Sequence, residues 1–423
     1  MKEYVKILCL VLALVMVLPM AFGCFKNKDG NDSETVATEP VATEGTQSDE
    51  TPTAPVLKIN GVNFTDYTIV YSRKSESGGE KAAKYFNQKI NELYGSSLKL
   101  DTKAQGDRYE ILIALDGGDS AIKAAYEKNP TCFIGVSGKK IVILGVNYSA
   151  LCKAIDTLLE KTTSAHEISV TENQFIELKT HELNVMSYYV ADGSKAKIVE
   201  TVLANNVDVL GLQGDSENYS SYFVENLKNY DVYKGDVDQG NYIYWRKDKY
   251  NLIKKNCYYL NERQVTPQSK DENRTMVYVI LEDKVTGKQF IFVNLKASEA
   301  TENIRKNQLA ALTDLIVEKI NKDNLPIVLL GNFNSETTSS SSAILDFTMK
   351  NPDFGMASRI CETKGDVGGT VVTDFTTREK NIVDHILVTT DNISTKYYTV
   401  VDNATDGEYP ATHLPILAKL TVY

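Results

Sequence analysis

Short apolar runs alternate with helical patterns along residues 183–422, and this alternation restricts the fold more than any other feature of the sequence. Predicted strands cover residues 183–190, 208–213, 276–282, 289–295, 326–330, 382–388 and 414–422, and predicted helices cover residues 194–205 and 301–320. In the longer helix, apolar residues recur with helical spacing from Ile304 to Ile320 and are expected to be buried. Strands interleaved with helices and hairpins predict a mixed-sheet α/β sandwich for residues 180–423.

Residues 56–178 carry a second set of strand and helix patterns, in the order β-α-β-β-β-α. The first helix, residues 79–93, is expected to bury an apolar face that includes Leu93. The motifs "YEILIALDGG", "CFIGVSGKKIVILG" and "SALCKAIDTLLEK" resemble the small accessory α/β domain that precedes the catalytic barrel in bacterial β-N-acetylhexosaminidases and α-glucuronidases. No such barrel follows, so the resemblance implies no glycosidase activity. Cys132 and Cys152 are expected to remain free thiols.

The first residues have the pattern of an export signal. Lys2 and Lys6 precede an apolar run over residues 7–20, and small residues follow. The end of this run, Ala21-Phe22-Gly23-Cys24, resembles a bacterial lipobox, which implies a lipoprotein signal peptide over residues 1–24 and diacylation of Cys24. Two acyl chains anchor a protein firmly, so we expect an exported membrane lipoprotein that faces the extracellular side. The alternatives are an uncleaved transmembrane anchor and simple secretion.

Residues 25–55 lack apolar periodicity and are predicted to be a disordered acidic linker. They contain two Lys and seven Asp or Glu, a net charge of −5, which is half of the −10 of the whole chain. The whole chain has 46 Lys and Arg against 56 Asp and Glu, and a nucleic-acid coat protein needs the opposite balance. Nucleic acid is therefore not an expected partner.

Seven ordered motifs in residues 180–423 resemble the endonuclease/exonuclease/phosphatase superfamily, which includes apurinic endonucleases, DNase I, sphingomyelinases and inositol polyphosphate 5-phosphatases. They are "LNVMSYYV", "DVLGLQ", "FIFVNLKAS", "RKNQL", "IVLLGNFN", "NIVDHILV" and "YPATHLPI". The resemblance implies a four-layer α/β sandwich, and a phosphoesterase that activates water with a divalent metal, usually Mg²⁺. Residues of the family pattern that survive are Asp384, His413, Asn334, Arg305 and Gln308.

Other positions depart from the family pattern, and the departures affect the chemistry. The chain has Gly214 where the family has a Glu. It has Asn332 and Thr412 at two positions where the family has an Asp. Tyr189 replaces an Asn beside the metal, and Lys296 replaces a His that contacts the phosphate. Hard Mg²⁺ prefers oxygen ligands with negative charge, and an amide is no general base near neutral pH. We therefore expect no metal cofactor, and we regard Asn332, Asn334, Asp384 and His413 as vestigial catalytic residues.

The first functional hypothesis is a surface lipoprotein whose phosphoesterase-like domain has lost catalysis and binds a ligand. Lys296, Arg305 and Tyr189 are its candidate binding residues, and an envelope glycan, an anionic small molecule or a protein its candidate partners. The second is a metal-dependent phosphodiesterase or phosphatase for extracellular phosphoesters, in which Asp215 or Glu217 replaces the lost Glu. A solute-binding lipoprotein is a third. The Asp384–His413 pair fits a structural role as well as nucleophile activation.

Overall fold

The structure is a computed structural model that describes residues 56–74, 78–128, 131–214, 217–235, 240–261 and 274–423. The predicted signal peptide, Cys24 and the acidic linker at residues 25–55 lie outside these residues. In the part of the chain that is described, no helix is both long enough and apolar enough to cross a lipid bilayer.

Residues 56–178, here called the small module, form an α/β layer structure. In chain order its elements are β1 (Lys58–Ile59), β2 (Val62–Asn63), β3 (Thr68–Tyr71), α1 (Gly79–Tyr94), β4 (Lys99–Asp101), β5 (Glu110–Ile113), α2 (Ser120–Lys128), β6 (Cys132–Ser137), β7 (Lys140–Gly145), α3 (Tyr148–Glu160), β8 (Glu167–Ile168) and β9 (Gln174–Phe175). The main sheet has the order β4-β3-β5-β7-β6-β9, with β4, β3, β5 and β7 parallel. Helices α1 and α3 pack on one face, and α2 packs on the other through Ile122.

The sequence-based order of the small module was incomplete. It lacked the two-residue strands β1, β2, β8 and β9, and it also lacked β4 and α2. Strand β4 has only three residues and α2 buries only Ile122, so neither has a clear apolar period. Leu93 was expected to be buried but is 59% exposed, and the next residue, Tyr94, packs against the core instead. Cys132 and Cys152 are free thiols, as expected.

Residues 180–423, here called the large module, contain two larger sheets. In chain order the elements are β10 (His181–Tyr189), α4 (Lys195–Ala204), β11 (Val209–Gln213), α5 (Glu217–Asn226), β12 (Tyr230–Tyr233), β13 (Tyr242–Arg246), β14 (Tyr250–Tyr259), β15 (Thr275–Asp283), β16 (Gln289–Lys296), α6 (Glu302–Leu315, extended by a π turn, Ile316–Ile320), β17 (Ile327–Asn332), α7 (Ala343–Lys350), β18 (Phe354–Met356), α8 (Ala357–Ile360), β19 (Thr363–Lys364), β20 (Val372–Thr373), β21 (Thr377–Arg378), β22 (Asp384–Thr389), β23 (Ile393–Val400) and β24 (Ile416–Val422).

The two large sheets pack face to face. Over the described residues, one has the order β12-β13-β11-β10-β24-β23-β19 and the other the order β14-β15-β16-β17-β22-β18. Their inner faces share one apolar core, in which Val185, Val279 and Leu330 are fully buried. Helices α4 and α5 cover the outer face of the first sheet, and α6 and α7 cover that of the second. This arrangement confirms the predicted four-layer α/β sandwich.

A buried polar network lies between the sheets, and Asn294 on β16 is its centre. The Asn294 side chain is fully buried, and its Nδ2 donates to the carbonyl oxygens of Leu212 and Tyr242 at 2.8 and 2.9 Å. Its Oδ1 accepts from Gln213 Nε2 at 2.7 Å, and Gln213 also donates to Ser187 Oγ at 3.1 Å. One amide therefore connects β16 with two strands of the opposite sheet.

Candidate functional site

The candidate site lies where several strands of both sheets end. Lys296 on β16 pairs in register with Asn332 on β17, and Asn332 pairs with Asp384 on β22. These three residues therefore form one row across the edge of the six-stranded sheet. Tyr189 ends β10 in the opposite sheet, where it pairs with Gln213.

The Tyr189 ring contacts both a lysine and a histidine. Lys296 Nζ is 4.5 Å from the ring centroid and 3.0 Å from the Tyr189 hydroxyl. The His413 ring packs against Tyr189 with a centroid separation of 4.5 Å. The structure thus joins two of the candidate ligand-binding residues, Tyr189 and Lys296, with His413 in one cluster.

Tyr189 also takes the space beside Gly214. A Cβ atom added at Gly214 would lie 2.7 Å from Tyr189 Cε2 and 3.0 Å from Ala191 Cβ, so a side chain there requires a neighbour to shift. Gly214 has a φ of +75°, a conformation that residues with a Cβ rarely adopt. Both the backbone and the Tyr189 ring therefore disfavour a carboxylate at position 214.

Lys296 has a counter-ion that the sequence analysis did not identify. Its Nζ lies 2.7 Å from Glu299 Oε1, and the side chain of Lys296 is 16% exposed, while that of Glu299 is 64% exposed. The spacing of three residues in "KASE" could have indicated the pair. Because Glu299 neutralises the ammonium, Lys296 is not an unpaired cation.

Asn332 and Asn334 use their side chains to hold the local backbone. Asn332 is 1% exposed, and its Oδ1 accepts from the Asn334 backbone N–H at 3.0 Å. Asn334 has a φ of +49°, and its Nδ2 donates to the Ala297 carbonyl oxygen at 2.9 Å. Asn334 thereby links the residues that follow β17 to those that follow β16.

Asp384 and His413 form a close pair. Asp384 Oδ2 lies 2.7 Å from His413 Nδ1, and the carboxylate is almost fully buried. Because a carboxylate only accepts, Nδ1 carries the proton of this hydrogen bond. His413 is also bridged to Val371, and the Val372 N–H donates to the Thr412 carbonyl oxygen at 2.8 Å. The pair therefore fastens β22 to the segment before β24, as the structural interpretation requires.

Arg305 has no described contact with the Tyr189 cluster. It is 8% exposed on α6, where it donates to the Ser298 carbonyl oxygen at 2.9 Å and pairs with Glu302 at 3.1 Å. Burial raises the pKa of Glu302, but hydrogen bonds, the first from Arg305, outweigh this effect and lower the pKa overall. The Gln308 side chain accepts from the Ser298 N–H at 2.8 Å. Arg305 and Gln308 thus hold the segment after β16 rather than present groups to a ligand.

The comparisons with known proteins bear on the large module. The model of the Endonuclease/Exonuclease/phosphatase family matches residues 183–406, just over half of the chain. The chain belongs to this family. A family protein from Bacteroides thetaiotaomicron matches with a TM-score of 0.51 and 21% identity over 58% of this chain and 99% of that chain. One from Bacteroides vulgatus matches with a TM-score of 0.51 and 20% identity over 57% and 100%. No curated protein matches the chain.

The described residues of this family member do not fit the divalent metal that the fold implies. Among the described residues, no three or more His, Cys, Asp or Glu side chains are grouped to hold a metal ion. Asp384 faces His413, and the Tyr189 ring, which lies beside the position of the missing Glu, is contacted by the Lys296 ammonium group. The two buried histidines are engaged elsewhere, because His181 bonds the Tyr250 hydroxyl and His385 the Ser335 carbonyl oxygen. The side chains of Asp215 and Glu217 lie outside the described residues.

Proposed function

We propose that the large module does not hydrolyse phosphoesters with a divalent metal, and that it is a binding domain of an exported lipoprotein. The observation that carries this proposal is the position of the Tyr189 ring, which fills the space of a side chain at 214 and contacts Lys296 and His413. Metal-assisted hydrolysis requires a coordinated cation to generate the nucleophile and to stabilise the developing charge. An ammonium group can stabilise negative charge, but neither it nor an aromatic ring activates the attacking water as a coordinated cation does.

The cluster supports binding through hydrogen bonds rather than through a metal. Lys296 supplies an ammonium group, and His413 is held by Asp384 with its other ring nitrogen directed away from that carboxylate. An anionic small molecule would have to compete with the exposed Glu299 for Lys296. An envelope glycan or a protein could form hydrogen bonds to the same groups without displacing Glu299 from Lys296. Arg305 is a weaker candidate than Lys296, because its guanidinium already bonds Ser298 and Glu302.

The proposal predicts that Mg²⁺ and Mn²⁺ change neither the activity nor the stability of the protein. A ligand that binds the folded state raises the melting temperature, so a metal that does not bind leaves it unchanged. The measurements are hydrolysis of bis-p-nitrophenyl phosphate and DNA, with metal and with chelator, and thermal unfolding over a metal titration. Metal-dependent turnover that disappears in His413→Ala would contradict the proposal.

The same assay addresses the second candidate function, a metal-dependent phosphodiesterase or phosphatase. The specific observation in its favour is the intact Asp384–His413 pair, at 2.7 Å, next to Asn332 in the sheet register. An Asp–His pair is a means of activating a nucleophile or protonating a leaving group. Turnover that requires metal and His413 would establish this function instead.

We further propose that Cys24 is diacylated and anchors the chain to the membrane, with the linker at residues 25–55 between the anchor and the folded modules. In the expressing bacterium, the wild-type chain is expected in the membrane fraction with the mass of a diacylglycerol on residue 24. Cys24→Ala is expected to lose the added mass. If the unmodified wild-type chain remained in the membrane with residues 1–23 attached, the transmembrane-anchor alternative would hold.

A further inference from the structure

The amino ends of two helices of the small module meet at one edge of its sheet. Helix α1 follows β3 and helix α3 follows β7, so both helices begin at the carboxyl edge of these parallel strands. The two ends touch, because a Cβ atom added at Gly78 would lie 2.8 Å from Tyr148 Cβ. In open parallel α/β sheets, this edge is the place where ligands bind.

In this chain, the large module occupies that location. The Ser149 N–H in the first turn of α3 donates to the Asp391 carbonyl oxygen at 2.9 Å. Lys81 in the first turn of α1 pairs with Asp391 Oδ2 at 2.7 Å and also with the Asp353 carboxylate. One backbone bond and one lysine shared by two aspartates therefore connect the modules.

The acceptor side of this contact is itself fixed. Asp391 lies in the turn between β22 and β23, where the Thr389 hydroxyl donates to Asn392 Oδ1 at 2.6 Å. The Thr390 N–H donates to the Asp353 carbonyl oxygen at 2.9 Å, which ties the two acidic turns together. The turns thus present two carboxylates at a fixed separation.

The electrostatics of the contact are complementary. The first N–H groups of a helix lack partners within the helix and carry partial positive charge, which favours acidic groups nearby. At the start of α3, the Asn147 side-chain oxygen accepts from the Ala150 N–H at 3.0 Å. The backbone carbonyl oxygen of Asn147 accepts from the Leu151 N–H at 3.1 Å. Ser149 receives its acceptor from the other module, so the large module completes the cap of this helix.

We propose that the small module is a docking element for the large module, and that it uses the carboxyl edge of its sheet for this contact instead of for a ligand. The kind of partner that this surface fits is a pair of acidic turns. The contact braces β22, whose first residue, Asp384, belongs to the candidate site and whose last residue, Thr389, adjoins the contact. The proposal is independent of whether the large module retains catalysis.

Hydrogen exchange of the whole chain, followed by mass spectrometry, tests the proposal. Lys81→Glu places a third carboxylate against Asp353 and Asp391, and we expect peptides over residues 146–152 and 389–393 to exchange about threefold faster or more. The matched control is Lys84→Glu on the same helix, because Lys84 is exposed and pairs with Glu80. Combining Lys81→Glu with Asp353→Lys and Asp391→Lys is expected to restore part of the protection.

A second variant covers the case in which Lys81→Glu unfolds the small module. Unfolding would also accelerate exchange in the buried strand at residues 110–113. If that strand exchanges faster in Lys81→Glu, the Lys81→Met variant is used to test docking instead. It removes the charge without adding repulsion, and a smaller acceleration in the same two peptides supports docking. Exchange like that of the wild type in both peptides, for both substitutions, would overturn the proposal.

Discussion

Replacing Asn294 by Ala is expected to lower the free energy of unfolding of the large module by about 3–5 kcal/mol. The substitution removes the hydrogen bonds to the Leu212 and Tyr242 carbonyl oxygens and withdraws one acceptor of Gln213 Nε2. It also leaves a cavity between the sheets, since Asn294 is fully buried. Buried polar groups that lose a partner cannot replace the bond with water, and several bonds are lost at once, so the cost exceeds that of a typical single hydrogen bond. Urea denaturation gives the measurement.

The matched control for Asn294 is Asn251→Ala on the edge strand β14. Asn251 is exposed, and its side chain makes one long bond of 3.4 Å to Glu282. Surface substitutions of this kind usually change stability by about 0.5 kcal/mol or less. Equal effects of the two substitutions would show that the network between the sheets contributes nothing beyond an exposed amide.

Gly214→Ala is expected to destabilise the protein by about 2–4 kcal/mol, the second-largest effect. The positive φ of Gly214 costs an Ala residue roughly 1–2 kcal/mol, and the contact with the Tyr189 ring adds the cost of overpacking. The two contributions can be separated, because Gly287 has a φ of +71° and nothing within 4 Å of an added Cβ atom. Gly287→Ala should therefore show the backbone cost alone.

A double-mutant cycle isolates the contact with Tyr189. In a Tyr189→Ala background, Gly214→Ala should cost less by a coupling energy of roughly 1–2 kcal/mol, and the remainder should reflect the backbone and the contact with Ala191. The measurement is denaturant unfolding of the four proteins of the cycle. A coupling energy near zero would mean that the ring does not fill the space at position 214, and the proposed function would lose its main support.

The fold followed from the sequence where apolar residues had a clear period. The predicted strands of the sandwich carry dense runs of Val, Ile and Leu, and the structure has a strand at each of these positions. Short or more polar strands, such as β12, β14 and β23, were not predicted. Helix α6 was predicted with the wrong buried face at its start, because Ile304 is half-buried while Arg305 and Gln308 are buried. Hydrogen bonds to the segment after β16 stabilise these buried polar residues. A pattern of apolar residues cannot predict such bonds.

The candidate site was predicted in composition but not in arrangement. Each substitution in the site, such as Tyr189 and Lys296, was visible in the sequence because it falls within an ordered motif. The contact of the Tyr189 ring with both Lys296 and His413 was not, because it depends on side-chain orientations from three separate parts of the chain. The pairing of Lys296 with Glu299 depends in the same way on the path of the chain after β16.

The close fit between Tyr189 and Gly214 couples these two positions. A Glu at 214 would meet both the ring and a left-handed backbone, so changing Gly214, Asn332 and Thr412 to acidic residues is expected to strain the protein while Tyr189 is present. Replacing Tyr189 by a smaller residue first would relieve this contact, but it would open a gap beside Lys296 and His413. Under the proposed function, a metal site could therefore be built here only through intermediates that are less stable than the present chain.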